Sequence, residues 1–477
     1  RPGRRARPAD HDDGTDDHDG TDDDRASAAR DGGPGMNLAA RRTTELGLLV
    51  LGTMYVVGAY LLASLPEDSK IPTTVGPFLG IIVGLPLVAH VAVRRLAPQA
   101  DGMLLPLASL LNGLGYVFIV RLDEARREPR GLAGLQSIWM IVGIAAFVAT
   151  LLVVRDARKL ERYRYTAGFV GLVLLLLPLL PVIGRTINGS RIWVSFGPVN
   201  FQPGEFAKLA LAGFFAGYLV EKRELLAINR AFGPFALPDP KHLGPVLIAW
   251  AVALVVMIME KDLGSSLLFF TLFLVLIWVA TERASYLVVG VLLFAGGGFL
   301  AFNAFAHVQE RFDSWLDPWT SDKGHQVIQA AFAFADGGPA GTGLNLGVPL
   351  NIPVVESDMI FAAIGEELGL LGATAVLIGF LLMIGAGLRI AQQAASPFER
   401  LLATGLTTLL GFQAFIIMAG VVRLLPLTGV TLPFVSYGGS SLLANWVLLA
   451  LLLRISDDAA EAQADRAAAG QVTEVVG

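Results

Sequence analysis

Long apolar runs separated by short polar connections dominate the chain. A bilayer core about 30 Å thick is crossed by roughly 20 apolar residues in a helix. The segments at 206–220 and 244–259 are shorter than this crossing length. We therefore predict about ten full spans, with the other helices half-inserted or interfacial. The pattern predicts an all-α polytopic membrane protein with helical segments at about 45–64, 75–93, 102–120, 135–154, 166–183, 206–220, 244–259, 263–280, 286–304, 359–388, 403–422 and 440–454.

One polar stretch interrupts this alternation. Residues 305–358 carry WLDPWTSDKGHQVIQ and then IPVVESD between apolar segments of membrane-spanning length. Loops longer than roughly 12–15 residues are usually functional or disordered, and the Trp and Gly residues here argue against disorder. We therefore predict a large extracytoplasmic loop that carries chemistry.

Composition supports a membrane protein. Hydrophobic residues make up 54% of the chain and charged residues 16%, with a mean hydropathy of +0.60. Soluble domains carry about 25% charged residues. The chain has no cysteine, which excludes a disulfide framework and a thiolate metal site or nucleophile.

The Lys/Arg bias of short loops predicts the orientation. With both termini in the cytosol, Arg94, Arg95 and the basic run at 155–164 lie inside. The connection at 121–130 disagrees, because it carries four Arg and falls outside. The predicted outer segments are 184–202, 260–262, 305–358 and 423–436.

The two ends of the chain differ from its apolar middle. Residues 1–40 begin with an Asp-rich stretch (HDDGTDDHDGTDDD) that cannot form a core. We interpret them as a disordered acidic tail or as sequence upstream of a true start at Met36, and a regulatory tail is a third interpretation. Residues 41–456 form the predicted transmembrane domain, and 457–477 a short cytosolic tail.

The first candidate site is FQPGEFAKL. Pro203 suits the first turn of a helix, on which Glu205 and Lys208 are spaced to meet on one face. A charged pair in a membrane segment is expensive unless it faces the protein interior or a wet cavity. A structural ion pair is the alternative. Arg191, just upstream, is placed to grip an anionic headgroup or to anchor the chain at the interface.

Three further segments are candidates for the site. Glu260 and Asp262 interrupt an apolar run, where acids are functional by default unless they form a simple turn. Gly264 beside them would allow a helix break or close packing. The segment 423–443, with two prolines and a Gly-Gly-Ser-Ser run, predicts a broken or re-entrant stretch. The other polar candidates in the loop and beyond it are Asp317, Asp322, Asp358, Glu366 and Ser440.

Missing motifs narrow the chemistry. The sequence contains no GxxxxGK[ST] or strand-linked GxGxxG, no HExxH and no GxSxG, so ATP hydrolysis, dinucleotide chemistry and serine hydrolysis are not indicated. Outer carboxylates, a few cations and an apolar wall remain. This combination suits a lipid-linked anionic substrate, with cations for a phosphate and a carboxylate for proton transfer.

Five motifs occur in order: FQPGEFAKL, EKDLGSS, WLDPWTSDKGHQVIQ, SDMIFAAIGEELG and LPLTGVTLPFVSYGGSSLL. Over about residues 45–456 the chain resembles the SEDS family (FtsW/RodA/SpoVE). Its motif sequences are similar to those of actinobacterial members. The resemblance implies a ten-span inner-membrane glycosyltransferase. Such an enzyme polymerises lipid II into peptidoglycan strands during elongation, division or sporulation, beside a class B penicillin-binding protein. A lipid II flippase is the alternative.

The resemblance also implies roles for particular residues. Asp322 matches the loop aspartate best and is the expected general base, with Asp317 as the fallback. The stretch IPVVESDM keeps Asp358 but lacks the family's Pro-adjacent Glu and its His. No cofactor is required, a divalent cation (Mg²⁺ or Mn²⁺) is compatible, and membrane lipids rather than nucleic acid are expected contacts. Substrate-binding roles are implied for Arg191, Glu205, Lys208, Glu260, Asp262, Asp358, Glu366 and Ser440.

Overall fold

The structure is a computed structural model. The ranges it describes are 38–64, 75–187, 189–196, 199–227, 229–232, 235–238, 258–321 and 324–476, with four single positions between 248 and 255. The acidic stretch 1–35, most of the predicted helix 244–259, and Asp322 lie outside the described residues.

Helices make up most of the described chain. They are α1 (Leu38–Ala63), α2 (Val75–Leu96), α3 (Leu104–Glu124), α4 (Leu132–Val153), α5 (Arg164–Leu176), α6 (Gly204–Ala227), α7 (Leu263–Thr281), α8 (Ala284–Ala304), α9 (Ala306–Leu316), α10 (His325–Gly337), α11 (Ile360–Gln393), α12 (Pro397–Val421) and α13 (Gly439–Val476). Short 3₁₀ turns cover Ala157–Tyr163, Leu177–Leu179 and Pro349–Asn351.

Five short strands accompany the helices. An antiparallel sheet in the order β1-β2-β3 is formed by Gly184–Ile187, Ser190–Phe196 and Val199–Phe201, and a hairpin by β4 (Asn229–Phe232) and β5 (Phe235–Pro238). The three-stranded sheet lies directly before Pro203. It feeds α6, whose first turn is closed by a bond from the Phe206 N–H to the Pro203 carbonyl (3.0 Å).

Nine helices of the described chain are long and apolar enough to cross a membrane: α1 to α4, α7, α8 and α11 to α13. Each matches a predicted segment, so the all-α polytopic class is confirmed. The predicted segment at 166–183 yields the 13-residue α5, which gives way to a 3₁₀ turn at Leu177–Leu179 and then to β1. The segment at 206–220 yields α6.

The buried fraction of each helix shows whether it lies at the centre or at the edge of the bundle. α3 and α12 bury 83% of their most apolar window, whereas α8 buries 6%. α3 and α12 therefore form the centre, and α8 presents its apolar side chains outward, as expected of a helix that faces lipid.

Three of the four Arg in the connection 121–130 are paired with acids. Arg121 lies 2.5 Å from Glu367, and Arg126 and Arg130 lie 2.8 and 3.3 Å from Glu356. These acids follow or end the long loop. The Arg-rich connection therefore does not oppose the predicted orientation, because most of its charge is paired locally.

One predicted boundary differs in three dimensions. The loop 305–358 keeps its bounds between α8 and α11 and contains two short helices, α9 and α10. At the other end, α13 continues without a break past residue 456. Asp457 there accepts a bond from the Gln99 N–H and pairs with Arg454 (2.7 and 2.8 Å). The start of the predicted C-terminal tail thus belongs to the packed bundle.

Candidate functional site

The irregular segment 422–438 between α12 and α13 forms the base of the candidate site. Its Ser436 hydroxyl donates to the Ser357 carbonyl (2.5 Å), and its Tyr437 N–H donates to the Glu356 carbonyl (2.8 Å). The apolar side chains of its second half, Val430, Leu432, Phe434 and Val435, are buried, as irregular backbone at this depth requires. The predicted broken segment is confirmed, and it holds residues 356–358 against it.

Arg311 and Asp358 meet at this segment. Arg311, on α9, donates to the Leu427 carbonyl (2.5 Å). Gly429 has a φ of +73°, and a Cβ there would lie 3.5 Å from an Arg311 nitrogen and 3.7 Å from Asp358 Oδ2. Glycine therefore satisfies the left-handed backbone and leaves room for both side chains.

The protonation of Asp358 is shifted by this environment. Burial raises the pKa of Asp358 to about 6, against the opposing effects of a Ser357 hydrogen bond and the Arg311 guanidinium. The negative charge of Asp262 raises the pKa of Asp358 by a further, smaller amount. The carboxyl group therefore titrates close to neutral pH, as groups at reacting sites often do.

The segment before α7 packs on the same base. Asp262 caps α7 by accepting from the Ser265 N–H (3.0 Å). A Cβ on Gly264 would lie 2.3 Å from Val430 Cγ2 and 3.1 Å from the Thr428 carbonyl. Close packing, and not a helix break, is therefore the role of this glycine.

Glu260 lies just below the cap. Its side chain is 3% exposed, and its Oε1 makes no hydrogen bond to the described residues. Burial raises the pKa of Glu260 to about 9, with a contribution from Asp262. Glu260 is therefore protonated at neutral pH. Its carbonyl accepts the Arg191 N–H (3.0 Å), which joins β2 to this segment.

The predicted Glu205–Lys208 contact is present. Lys208 Nζ donates to Glu205 Oε1 (2.8 Å) and to Gln413 Oε1 on α12 (2.9 Å), and both charged side chains are buried. Gln413 in turn donates to the Thr431 carbonyl (2.8 Å). The pair thus ties α6 and α12 to the base of the site, and the structural alternative stays open beside the substrate-binding one.

Arg191 and Ser440 bind backbone groups. The Arg191 guanidinium donates to the carbonyls of Pro178 (3.0 Å) and Leu180 (3.2 Å). The Ser440 hydroxyl accepts from the Gln202 N–H (2.9 Å). The Arg191 bonds hold β2 to the turn after α5, and the Ser440 bond holds the chain after β3 to α13. The substrate-binding roles of both residues stay predictions.

Glu366 faces the loop that precedes α11. It accepts from the Val348 N–H (2.6 Å), so it fastens the loop to the helix. Asp317, at the end of α9, is exposed and accepts from the Thr320 hydroxyl (2.7 Å). Asp322 lies outside the described residues, in the connection between α9 and α10. The roles of these three acids stay predictions.

Arg311 was not among the predicted site residues. Its signal in the sequence is a single cation in the short amphipathic stretch AHVQERFDSWL of the long loop. The structure brings it to Asp358, while Glu260 and Asp262 approach from the neighbouring segment. At this end of the bundle, no three His, Asp or Glu of the described chain group their oxygen or nitrogen atoms as metal ligands, so a divalent cation here stays a prediction.

The bundle and its buried polar end define a polytopic membrane protein with a charged site beside lipid-facing helices. Residues 102–461, more than half of the chain, match the family model described as "Cell cycle protein", FtsW/RodA/SpoVE. The chain belongs to this family.

Named relatives support that placement. The chain is 44% identical to the peptidoglycan glycosyltransferase RodA of Mycobacterium tuberculosis over 430 residues, covering 88% of this chain and 92% of the relative. It is 34% identical to a probable peptidoglycan glycosyltransferase FtsW of Geobacter metallireducens, covering 75% and 94%. Both relatives are matched over nearly their full length.

Solved structures agree with the fold. One, from work on the structural coordination of polymerization and crosslinking by a peptidoglycan synthase complex, superposes with a TM-score of 0.61 at 27% identity, covering 75% of this chain and 98% of that one. The crystal structure of the Thermus thermophilus rod shape determining protein RodA gives 0.52 at 25% identity, covering 75% and 97%.

Proposed function

We propose that this chain is a peptidoglycan glycosyltransferase that polymerises lipid II into glycan strands. The observation that carries the proposal is the grouping of Asp262, Arg311 and Asp358 at the irregular segment 422–438, with Glu260 beside Asp262. The relatives named as peptidoglycan glycosyltransferases support the same reaction. The donor, a glycan on undecaprenyl diphosphate, is already activated, which agrees with the lack of a nucleotide-binding motif.

The reaction needs a base for the acceptor. A sugar 4-hydroxyl is a poor nucleophile until its proton is removed, and one positioned carboxylate typically contributes about 10²–10⁴-fold. We assign this role to Asp322, with Asp317 as the fallback. Conversion of an α-linked donor into a β-linked product requires inversion, so a single in-line displacement suffices.

The leaving diphosphate needs positive charge. Lys208 already donates hydrogen bonds to Glu205 and Gln413, and the Arg191 guanidinium donates to two backbone carbonyls. Arg311 is better placed, because it lies at the base of the site beside Asp358. A Mg²⁺ or Mn²⁺ ion, with Asp262 and Asp358 as oxygen donors, is compatible with this chemistry and would supply further positive charge.

The side of the membrane on which the site lies follows from the predicted orientation of the chain. Both termini lie in the cytosol, and the site faces the extracytoplasmic side of the cytoplasmic membrane, where lipid II is polymerised. A class B penicillin-binding protein is the proposed partner, in keeping with the synthase complex among the similar structures. A flippase would need no base at a fixed position, and no observation favours it.

The experiment compares two aspartates in one loop. Asp322→Asn should bind lipid II but lose polymerisation, because the change removes only the basic oxygen. Asp317→Asn is the matched control and should keep most activity. Full activity in the Asp322 variant would overturn the base assignment, and loss confined to the Asp317 variant would exchange the two roles.

A further inference from the structure

A second group of acids lies at the opposite end of the bundle from the segment 422–438. Asp156 precedes the 3₁₀ turn after α4, Glu399 is in the first turn of α12, and Asp458 is on α13. One carboxylate oxygen from each lies within 4.8 Å of the other two. This group joins three elements that are distant in sequence.

Glu399 is the most buried member of the group, and its only ion pair among the described residues is a long one to Arg158. Its side chain is 0% exposed, and neither carboxylate oxygen makes a hydrogen bond to the described residues. The Ser396 hydroxyl accepts from the Glu399 N–H (3.2 Å). Arg158 Nε is 3.6 Å from Oε1, beyond hydrogen-bond distance. A buried carboxylate in such surroundings is costly unless a counter-charge is bound to it.

The other two acids are held in place by backbone groups. Asp458 is 5% exposed and accepts from the Ala157 N–H (2.7 Å), and Asp156 accepts from the Arg158 N–H (3.0 Å). Of the nearby cations, Arg454 is buried and paired with Asp457, and the other two are held only loosely. Arg158 is 51% exposed and 3.8 Å from Asp156, and Lys159 is 78% exposed and 3.7 Å from it. Exposed pairs of this kind contribute little, so the group keeps an excess of negative charge.

We propose that Asp156, Glu399 and Asp458 bind a hard divalent cation of the Mg²⁺ or Ca²⁺ class. Ca²⁺ takes carboxylate oxygens at about 2.3–2.6 Å, so two oxygens on one ion lie at most about 5 Å apart, whereas Mg²⁺, at about 2.0–2.1 Å, holds them within about 4 Å. The three oxygens lie within 4.8 Å of one another, which is inside the Ca²⁺ limit, and Mg²⁺ would draw them closer together. The ion would displace Arg158 as counter-charge and fasten the connection between α4 and α5 to α12 and α13. The inference does not depend on the transferase proposal.

The first test measures binding directly. The purified full chain is stripped with EDTA in detergent and titrated with MnCl₂ by electron paramagnetic resonance, and thermal unfolding is followed with and without MgCl₂ or CaCl₂. Glu399→Gln should weaken Mn²⁺ binding by roughly tenfold or more, since fewer charged ligands remain, and should lose the cation-dependent rise in Tm. Asp465→Asn, an exposed acid on α13, is the matched control and should behave as wild type.

Arg158→Gln separates the cation from a simple ion pair. Arg158 competes with the ion, so its removal should tighten Mn²⁺ binding and make stability more dependent on added cation. Equal Mn²⁺ binding by wild type and Glu399→Gln would overturn the proposal. So would an Arg158 variant that is destabilised equally with and without cation. Without cation, Glu399→Gln should be at least as stable as wild type, and unfolding of the stripped variant would instead assign Glu399 a purely structural role.

Discussion

At Glu260, burial and the neighbouring Asp262 both favour the protonated carboxyl group. The pKa of Glu260 rises from 4.5 to about 9 on folding, so the folded chain holds the proton more tightly than the unfolded chain. The stabilising contribution is complete below about pH 4.5 and is lost progressively as the pH rises towards 9. Glu260 is then uncharged at neutral pH beside Asp262.

Glu260→Gln tests this state, because glutamine mimics a protonated glutamate. We expect polymerisation at pH 7 to stay within a few-fold of wild type. The variant should gain stability relative to wild type as the pH rises from 5 to 9, by about 5 kcal/mol, because a difference of one pKa unit corresponds to about 1.4 kcal/mol. Thermal unfolding at pH 5, 7 and 9 measures the difference, and a gap that does not change with pH would contradict the protonated state.

The Glu205–Lys208 pair gives a second prediction for single residues. Removing one buried partner leaves the other charge uncompensated, at a cost of about 3–5 kcal/mol. Glu205→Gln and Lys208→Met should therefore each lower Tm, whereas the double variant should recover stability without recovering polymerisation. Normal polymerisation by the double variant would show that the pair is structural.

Among the elements, the start of α7 is positioned by the fit of Gly264 against Val430 and Thr428. Gly264→Ala places a methyl group 2.3 Å from Val430 Cγ2, and overpacking of this kind costs about 1–3 kcal/mol. We expect lower Tm and reduced polymerisation, with partial recovery in Gly264→Ala/Val430→Ala. Gly213→Ala in α6 is the control, since nothing lies within 4 Å of its Cβ position. If both glycine variants behave alike, the packing at Gly264 does not position the site.

The elements themselves were largely predictable from sequence. Apolar run length located the nine spans of the described chain, and i, i+3 spacing gave the Glu205–Lys208 contact. Periodicity could not show that Arg311 reaches Asp358, because their meeting depends on how α9 folds back onto the segment 422–438. It also could not show that Arg121 is neutralised by Glu367, 246 positions later, since such pairs are set by helix packing and not by local pattern.

For the whole molecule, the two ends of the bundle carry different chemistry. One end has acids, Arg311 and irregular backbone at the proposed transferase site. The opposite end has the acidic group of Asp156, Glu399 and Asp458 from three separate elements. Between the two ends, α3 and α12 form the buried centre.

Polymerisation of lipid II by the purified chain in detergent, with and without its penicillin-binding partner, tests the central claim most directly. A micelle offers no second leaflet, so transport produces no signal, while a transferase produces glycan chains visible on a gel. We predict polymer from wild type, a loss of about 10²–10³-fold in Arg311→Gln, as for removal of one transition-state donor, and normal activity in Arg127→Gln, an exposed arginine at the same end. Absence of polymer from wild type in both conditions, or equal polymer from wild type and Arg311→Gln, would contradict the account.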